Sequence, residues 1–351
     1  MCKKIRRLIA IDTGTSRTRV CLVEGGKRCL AQFQSDVGVR NTAIHGTNGE
    51  LKQTVHDGIQ QVLRESGLSI CQIDAVYAGG MITSNMGFVE IPHLLAPVGL
   101  GELAAGVRTV SLPDVCDLPI HFVPGVKNNV STADIQSCGK MDMMRGEELE
   151  TMALLSRLPK GKAYLFVLPG SHTKFVSVDK RGKITGCLTT LSGEMLAALT
   201  CNTVLTDAVQ GRFVEPKQYC GDLVLAGYRE ASKNGLGRAA FSVRILSQHG
   251  LVDSVGAANY LLGAVLQEDV RALKSMQDSL CVDSSCEMII SGKFTFQQAL
   301  KEIFIHSGLF PIVREFTLQG ELSLSALGTW LVAQKAVEDC SENTGDTIPE
   351  C

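Results

Sequence analysis

The chain has 351 residues, of which 45% are hydrophobic and 20% charged, and its formal net charge is −2. That length allows two domains with ample apolar surface to bury, and the balance argues against overall disorder, a basic nucleic-acid binder and a polybasic membrane anchor. No apolar run approaches the ~20 residues that a membrane helix needs.

The first predicted element is a hairpin over residues 8–23, LIAIDTGTSRTRVCLV, in which an apolar strand meets a turn of Gly, Thr and Ser and then a β-branched strand. A third strand is expected over 27–33 and a helix over 51–66, where Val55, Ile59 and Leu63 recur at helical spacing. A strand over 74–78 completes a mixed sheet flanked by helices. Residues 144–157 have helical spacing (Leu149, Met152, Leu155) and are expected to bridge two halves. A second hairpin of the same design then follows over 164–178, with its turn at Pro169–Lys174. Further helices are expected over 191–207, 257–274, 294–307 and 322–337, with a strand over 286–291. The polar tail after Cys340 is expected to fray. Thirteen cysteines are scattered without any CxxC pair; with no leader expected, they read as reduced thiols of a cytoplasmic protein, packed mostly as small apolar residues.

Two turns carry the chemistry. In Asp12-Thr13-Gly14-Thr15-Ser16, glycine permits close backbone approach, amides and hydroxyls can bind phosphate oxygens, and Asp12 can hold a hydrated Mg²⁺. In the second turn Gly170, Ser171, His172 and Lys174 offer the same geometry with a cation added. An ordinary Asp/Gly turn accounts for either string alone; the pair favours phosphate. No GxxxxGK[ST] is present, so a Walker-type site is disfavoured.

Arg145-Gly146-Glu147-Glu148 precedes a helical pattern, so its acids lie at a positive helix end. Phosphoryl transfer needs a group that orients or deprotonates the acceptor hydroxyl. Glu147 or Glu148 can be that base, although both acids would also serve as ordinary first-turn residues. Arg145 can clamp a carboxylate or phosphate. The small polar loop 79–87, with Ser84 and Asn85, can hydrogen-bond a polyhydroxy substrate. Glu194 in Ser192-Gly193-Glu194 can add a carboxylate, and Ser291-Gly292-Lys293 suits a turn against adenosine.

In this order the motifs IDTGTSRTR, AGGMITSNMGFVEIP, FVPG, DMMRGEE, LPGSHTKFV, LSGEM and LSLSALG resemble those of the 2-dehydro-3-deoxygalactonokinase family, within the sugar-kinase, actin and heat-shock ATPase superfamily. The resemblance implies an α/β, two-domain actin-like ATPase (ribonuclease H-like) fold with mixed sheets, flanking helices and a cleft between domains. It implies domains at 1–145 and 146–340 with a last helix near 322–337 packing back on the first, while the tail at 341–351, expected from its composition to be flexible, is atypical of the family. The implied reaction moves the γ-phosphoryl of ATP to the 6-hydroxyl of 2-dehydro-3-deoxygalactonate, with Mg²⁺, in D-galactonate catabolism. Related exopolyphosphatases open a bridging helix with a similar Gly-Glu-Glu, which favours Glu147 over Glu148 as base and, with Asp12, as metal ligand. The second hairpin has Leu168-Pro169 where many relatives carry an acid, and Thr13 and Phe175 stand where the family commonly has Trp. A phosphohydrolase of exopolyphosphatase type and a non-catalytic actin-like nucleotide-binding protein are the alternatives. The expected partners are small molecules, without nucleic acid or membrane; oligomeric state is left open, a homodimer included.

Overall fold

The computed structural model describes residues 4–277, 280 and 286–343. They form two compact units: the first draws on 4–160, 182–184 and 318–343, the second on 161–181 and the described residues of 185–317.

The first unit opens with β1 (Arg7–Thr13), β2 (Thr18–Glu24) and β3 (Arg28–Ser35). β1 and β2 pair antiparallel from Arg7↔Glu24 to Thr13↔Thr18, so Gly14–Arg17 is the expected hairpin turn. β1 reads as an almost unbroken buried run, as a central strand covered on both faces must. A short α1 (Val39–His45) leads to α2 (Gly49–Ser66). α2 buries Leu51, Val55, Ile59, Val62 and Leu63, the predicted stripe, and ends where Gly67 takes φ +67°. β4 (Ala75–Gly80) pairs parallel with β1. After β5 (Leu94–Leu95), α3 (Leu100–Ala105), β6 (Arg108–Val110), β7 (Ile120–Phe122), β8 (Val126–Lys127) and β9 (Met143–Met144), the chain enters α4 (Glu147–Leu155). The large sheet runs β3-β2-β1-β4-β7-β6, and one of its faces packs Ile9, Ile11, Val20 and Val76 with the apolar side of α2.

The second unit repeats the plan. β10 (Tyr164–Leu168) and β11 (Thr173–Val178) form the second expected hairpin, and β12 (Ile184–Thr190) follows. Then come α5 (Ser192–Cys201), α6 (Leu205–Val209), α7 (Gly221–Asn234), α8 (Leu236–Gln248), α9 (Ser254–Met276), β13 (Glu287–Ile290), α10 (Phe294–Ser307) and β14 (Val313–Glu315). The order β12-β11-β10-β13-β14 matches β3-β2-β1-β4-β7, with the same sense at each pairing of the central strands: β10 is antiparallel to β11 and parallel to β13, and β13 is parallel to β14. Its core gathers Leu165, Val167, Phe175, Leu261, Val265 and Phe304 under the helices.

Several expectations change. The helix expected from 144 starts at Glu147, because Met143–Met144 pair with β8 and Gly146 takes φ +108°. It lies wholly within the first unit, packed on α11 (Leu324–Asn343), rather than bridging two halves. The helix expected over 191–207 is broken after Cys201 into α5 and α6. α11 continues to Asn343, into the tail after Cys340 that was expected to fray; 344–351 lie outside the described residues. α7 and α8 were not anticipated: their buried positions, Val224, Gly227, Tyr228 and Ala231 in one and Ala239, Ala240 and Val243 in the other, recur at helical spacing, but glycine and alanine fill most of them and leave a weak apolar signal.

Candidate functional site

In the first unit, the turn after β1 is held by its own backbone and by α1. Gly14 N–H donates to Arg17 C=O at 2.8 Å, and Val39 and Arg40 donate to the carbonyls of Gly14 and Thr15 at 3.2 and 2.9 Å. The approach needs Gly38, where a Cβ would lie 2.5 Å from the Thr15 carbonyl. Thr15 and Ser16 stay exposed at the tip. Asp12, beside Gly79 on β4, accepts from Arg19 Nη1 at 3.2 Å, while Thr13 is buried with Thr18. Gly80, at φ +79°, leaves room: a Cβ there would sit 2.5 Å from Thr13 C=O and 3.3 Å from Asp12 Oδ1.

The loop after β4 is shaped from inside. Thr83 Oγ1 donates to Gly80 C=O at 2.9 Å, and Ser84 Oγ to Met81 C=O at 2.7 Å, leaving Asn85 exposed. Arg145 closes the loop, with Nη1 donating to Thr83 Oγ1 and Nη2 to Ile91 C=O, both at 2.7 Å. Its guanidinium is therefore engaged with the loop, and partial burial lowers its pKa.

The acids opening α4 have different surroundings. Glu148 is fully buried, and both its carboxylate oxygens accept the Gly146 N–H, at 2.8 and 2.9 Å. It caps its own helix. Burial, then the neighbouring Glu147 charge, push its pKa up to about 8. Glu147 is half-buried. The half-buried Glu150, absent from the sequence reading, is also pushed up to about 8, by burial and then by the charges of Asp12 and Glu147. Among the described residues no cluster of three or more metal-ligating side chains occurs. Mg²⁺ takes hard oxygen ligands through one or two carboxylates plus phosphate oxygens, so Asp12 and Glu147, whose charges already raise Glu150, fit it.

In the second unit the expected motifs converge on one cavity of about 1030 Å³. Pro169, Gly170 and Ser171 of the hairpin turn line it, with Gly193 of α5 and Lys293 and Phe294 of the turn opening α10. Gly193 makes this junction possible, since a Cβ would lie 2.0 Å from Gly170 C=O, and Glu194 N–H donates to Ser171 C=O at 2.9 Å. Gly292 likewise packs on Pro169, a Cβ there meeting its ring at 2.7 Å, while the buried Ser291 donates its N–H to Val167 C=O. His172 Nε2 lies 3.1 Å from Glu194 Oε1. Lys174 is turned elsewhere: the residue is buried and its ammonium donates to Thr189 Oγ1 on β12.

The opposite wall was not found in the sequence. It comprises Arg212, Phe213, Glu215 and Gln218 from the loop after α6, Ala258 and Leu262 of α9, and Phe296. The one available signal was the spacing Gly193–Ala197, a small-residue stripe on α5 that leaves the space open. Asp269 of α9, buried beneath the hairpin and bonded to Thr190, was likewise missed because it sits inside an apolar helix pattern.

Residues 12–311 match the 2-keto-3-deoxy-galactonokinase family. Among curated proteins none matches the chain. In structure the chain is similar to a Sinorhizobium meliloti protein provisionally named 2-dehydro-3-deoxygalactonokinase, at TM-score 0.68 and 21% identity over 93% of this chain and 97% of that one. It is also similar to the 2-hydroxyisocaproyl-CoA dehydratase activator of Clostridium difficile with bound ADPNP, at TM-score 0.54 and 11% identity over 98% and 100% of the two chains. A third likeness is component A of the Acidaminococcus fermentans (R)-2-hydroxyglutaryl-CoA dehydratase, at TM-score 0.50 and 12% identity over 95% and 99%. These likenesses establish the actin-like ATPase fold, and with it the paired sheets of like topology described above. The match over residues 12–311 establishes the rest: this chain belongs to the 2-keto-3-deoxy-galactonokinase family, whose members are sugar-acid kinases.

Proposed function

We propose that the chain transfers the γ-phosphoryl group of ATP to the 6-hydroxyl of 2-dehydro-3-deoxy-D-galactonate, a step of D-galactonate catabolism. The observation that carries the nucleotide half is the second-unit cavity, where an amide-rich turn and the start of α5 meet a wall of Phe213, Phe294 and Phe296. A glycine-bearing turn and the start of a helix suit phosphate oxygens, and an aromatic wall suits a flat base. The bound ADPNP named for the Clostridium difficile relative supports the same reading. Family membership supports the acceptor.

In this proposal Gly170, Ser171 and His172 contact the phosphates, with Lys174 adding its charge from the strand behind, and the Ser291-Gly292 turn positions Lys293 and Phe294 against the nucleoside. In the first unit Gly14, Thr15 and Ser16 supply further amides and hydroxyls for phosphate. Glu147 is the base that takes the proton of the acceptor hydroxyl, since Glu148 is committed to capping Gly146. Arg145 acts by shaping the loop that presents Ser84 and Asn85 to the sugar acid, and Glu194 adds a contact to it. Asp12 and Glu147 would hold Mg²⁺, which when bound neutralises charge on the transferring group.

The test is ADP release, coupled to a chromogenic readout, across 2-keto-3-deoxy sugar acids of both galactonate and gluconate configuration, with the parent aldonates as controls. Turnover is expected only with the keto-deoxy acids, fastest with the galactonate epimer. Asp12→Ala and Glu147→Gln should each lower kcat by about 10²–10⁴-fold while the melting temperature stays near that of the wild type. Equal phosphate release without any sugar acid would replace this reading with a phosphohydrolase.

A further inference from the structure

The middle of α9 holds a carboxylate with no access to water: Asp269 is 0% exposed. Its Oδ1 accepts the Thr190 hydroxyl at 2.5 Å, and its Oδ2 is buried with no hydrogen-bond partner. Removing a carboxylate from water is costly unless its surroundings compensate. Here the compensation is partial. Burial pushes the Asp269 pKa up to about 7, with the Glu268 charge acting in the same sense, while the neutral hydroxyls of Thr190, Ser192 and Thr173 act in the opposite one. An apolar residue would serve helix packing better, so the position calls for another explanation.

The hydroxyls beside it form a chain. Thr190 Oγ1, at the end of β12, lies 3.3 Å from Ser192 Oγ, which lies 2.7 Å from Thr173 Oγ1. Thr173 is the first residue of β11, directly after the turn that contains Gly170 and Ser171, and Ser192 opens α5. The turn is thus gripped twice. Its main chain is held by the close approach of Gly193 and the Glu194 N–H, and its root by the hydroxyl chain that ends on Asp269.

We propose that Asp269 is a positioning residue for a phosphate group bound at the Gly170–Ser171 turn, acting through Thr190, Ser192 and Thr173. The inference rests on the nucleotide reading of the second-unit cavity and adds to it a residue that touches no ligand. Asp269 does not line that cavity, whose apolar wall is set by Leu196, Ala258, Leu262 and Phe294. Loosening the hydroxyl chain therefore displaces the turn and leaves the nucleoside wall in place. Phosphate affinity and nucleoside affinity should separate.

The experiment measures Kd for ATP and for adenosine by titration calorimetry, with Mg²⁺ present, on the full chain and its variants. Asp269→Leu should weaken ATP by about 10-fold or more and adenosine by no more than about 2-fold, since a displaced turn loses bonds to phosphate alone and one hydrogen bond to a charged group is worth about that factor. Asp269→Asn keeps an acceptor for Thr190 and should stay within about 3-fold of the wild type for ATP. Thr190→Val removes the connecting hydroxyl at constant shape and should show the same split, which keeps the test available if Asp269→Leu does not fold. Equal losses for ATP and adenosine, or unchanged ATP affinity in both Asp269→Leu and Thr190→Val, would overturn the positioning role alone. A wild-type chain that binds neither ligand would instead remove the nucleotide reading, and this inference with it.

Discussion

Adjacent glutamates at the head of α4 occupy different electrostatic worlds. Glu148 is sealed against its own helix end, where two bonds from the Gly146 amide only partly offset burial, and its pKa rises from 4.5 to about 8. A carboxyl whose pKa is higher folded than unfolded favours the folded state fully below its unfolded value, and that contribution is lost as pH rises through the folded value. For Glu148 the window runs from 4.5 to about 8. Glu148→Gln should therefore stabilise the protein increasingly over that range: the difference in melting temperature between variant and wild type becomes more positive from about pH 5 to about pH 8. A pH-independent difference would mean that Glu148 remains ionised in the folded protein throughout. Glycine followed by two acids marked a helix start in the sequence, but which acid turns inward depends on Gly146 at φ +108°, and that conformation is set by the strand pairing before it.

At the scale of elements, α4 is seated by glycines from two directions. On the β4 side, a Cβ on Gly79 would meet Leu149 Cδ1 at 2.4 Å; on the α11 side, a Cβ on Gly328 would meet the Leu149 carbonyl oxygen at 2.0 Å. A side-chain tip can rotate away, whereas a helical carbonyl cannot move without its hydrogen-bond ladder. Gly328→Ala should accordingly cost about 1–3 kcal/mol, as overpacking does, and more than Gly79→Ala, read from urea denaturation midpoints. Equal costs would show that α11 shifts as a rigid rod without loss. This contact also accounts for the late LSLSALG motif, which as sequence reads only as the start of a helix with small residues.

Across the whole molecule, the two units have separate cores and share one strand order, so the duplication rests on topology with no visible repeat in the residues. Among the described residues no helix is long and apolar enough to cross a membrane. A ligand that binds only the folded state stabilises it by mass action, about 2.7 kcal/mol at 100 times its Kd. Mg-ATP at that excess should raise the melting temperature, and Phe294→Ala, which strips one face from the second-unit cavity, should shrink the shift at a fixed ATP concentration. An unchanged shift in the variant would move the nucleotide away from this cavity.

Hairpins, central strands and the amphipathic α2 could be read from residues alone, because alternation, apolar runs and glycine turns are properties of neighbours along the chain. The turn sequences at Asp12–Ser16 and Pro169–Lys174 belong to the same local class. Tertiary structure decided the rest. Lys174 adjoins a phosphate-type turn in sequence yet gives its ammonium to Thr189 across the sheet, while Arg145, readable as a clamp, holds Thr83 and Ile91. The cavity wall of Phe213, Leu262 and Phe296 and the buried Asp269 come from segments far apart along the chain. What such residues do depends on who faces them after folding, and neither spacing nor composition carries that information.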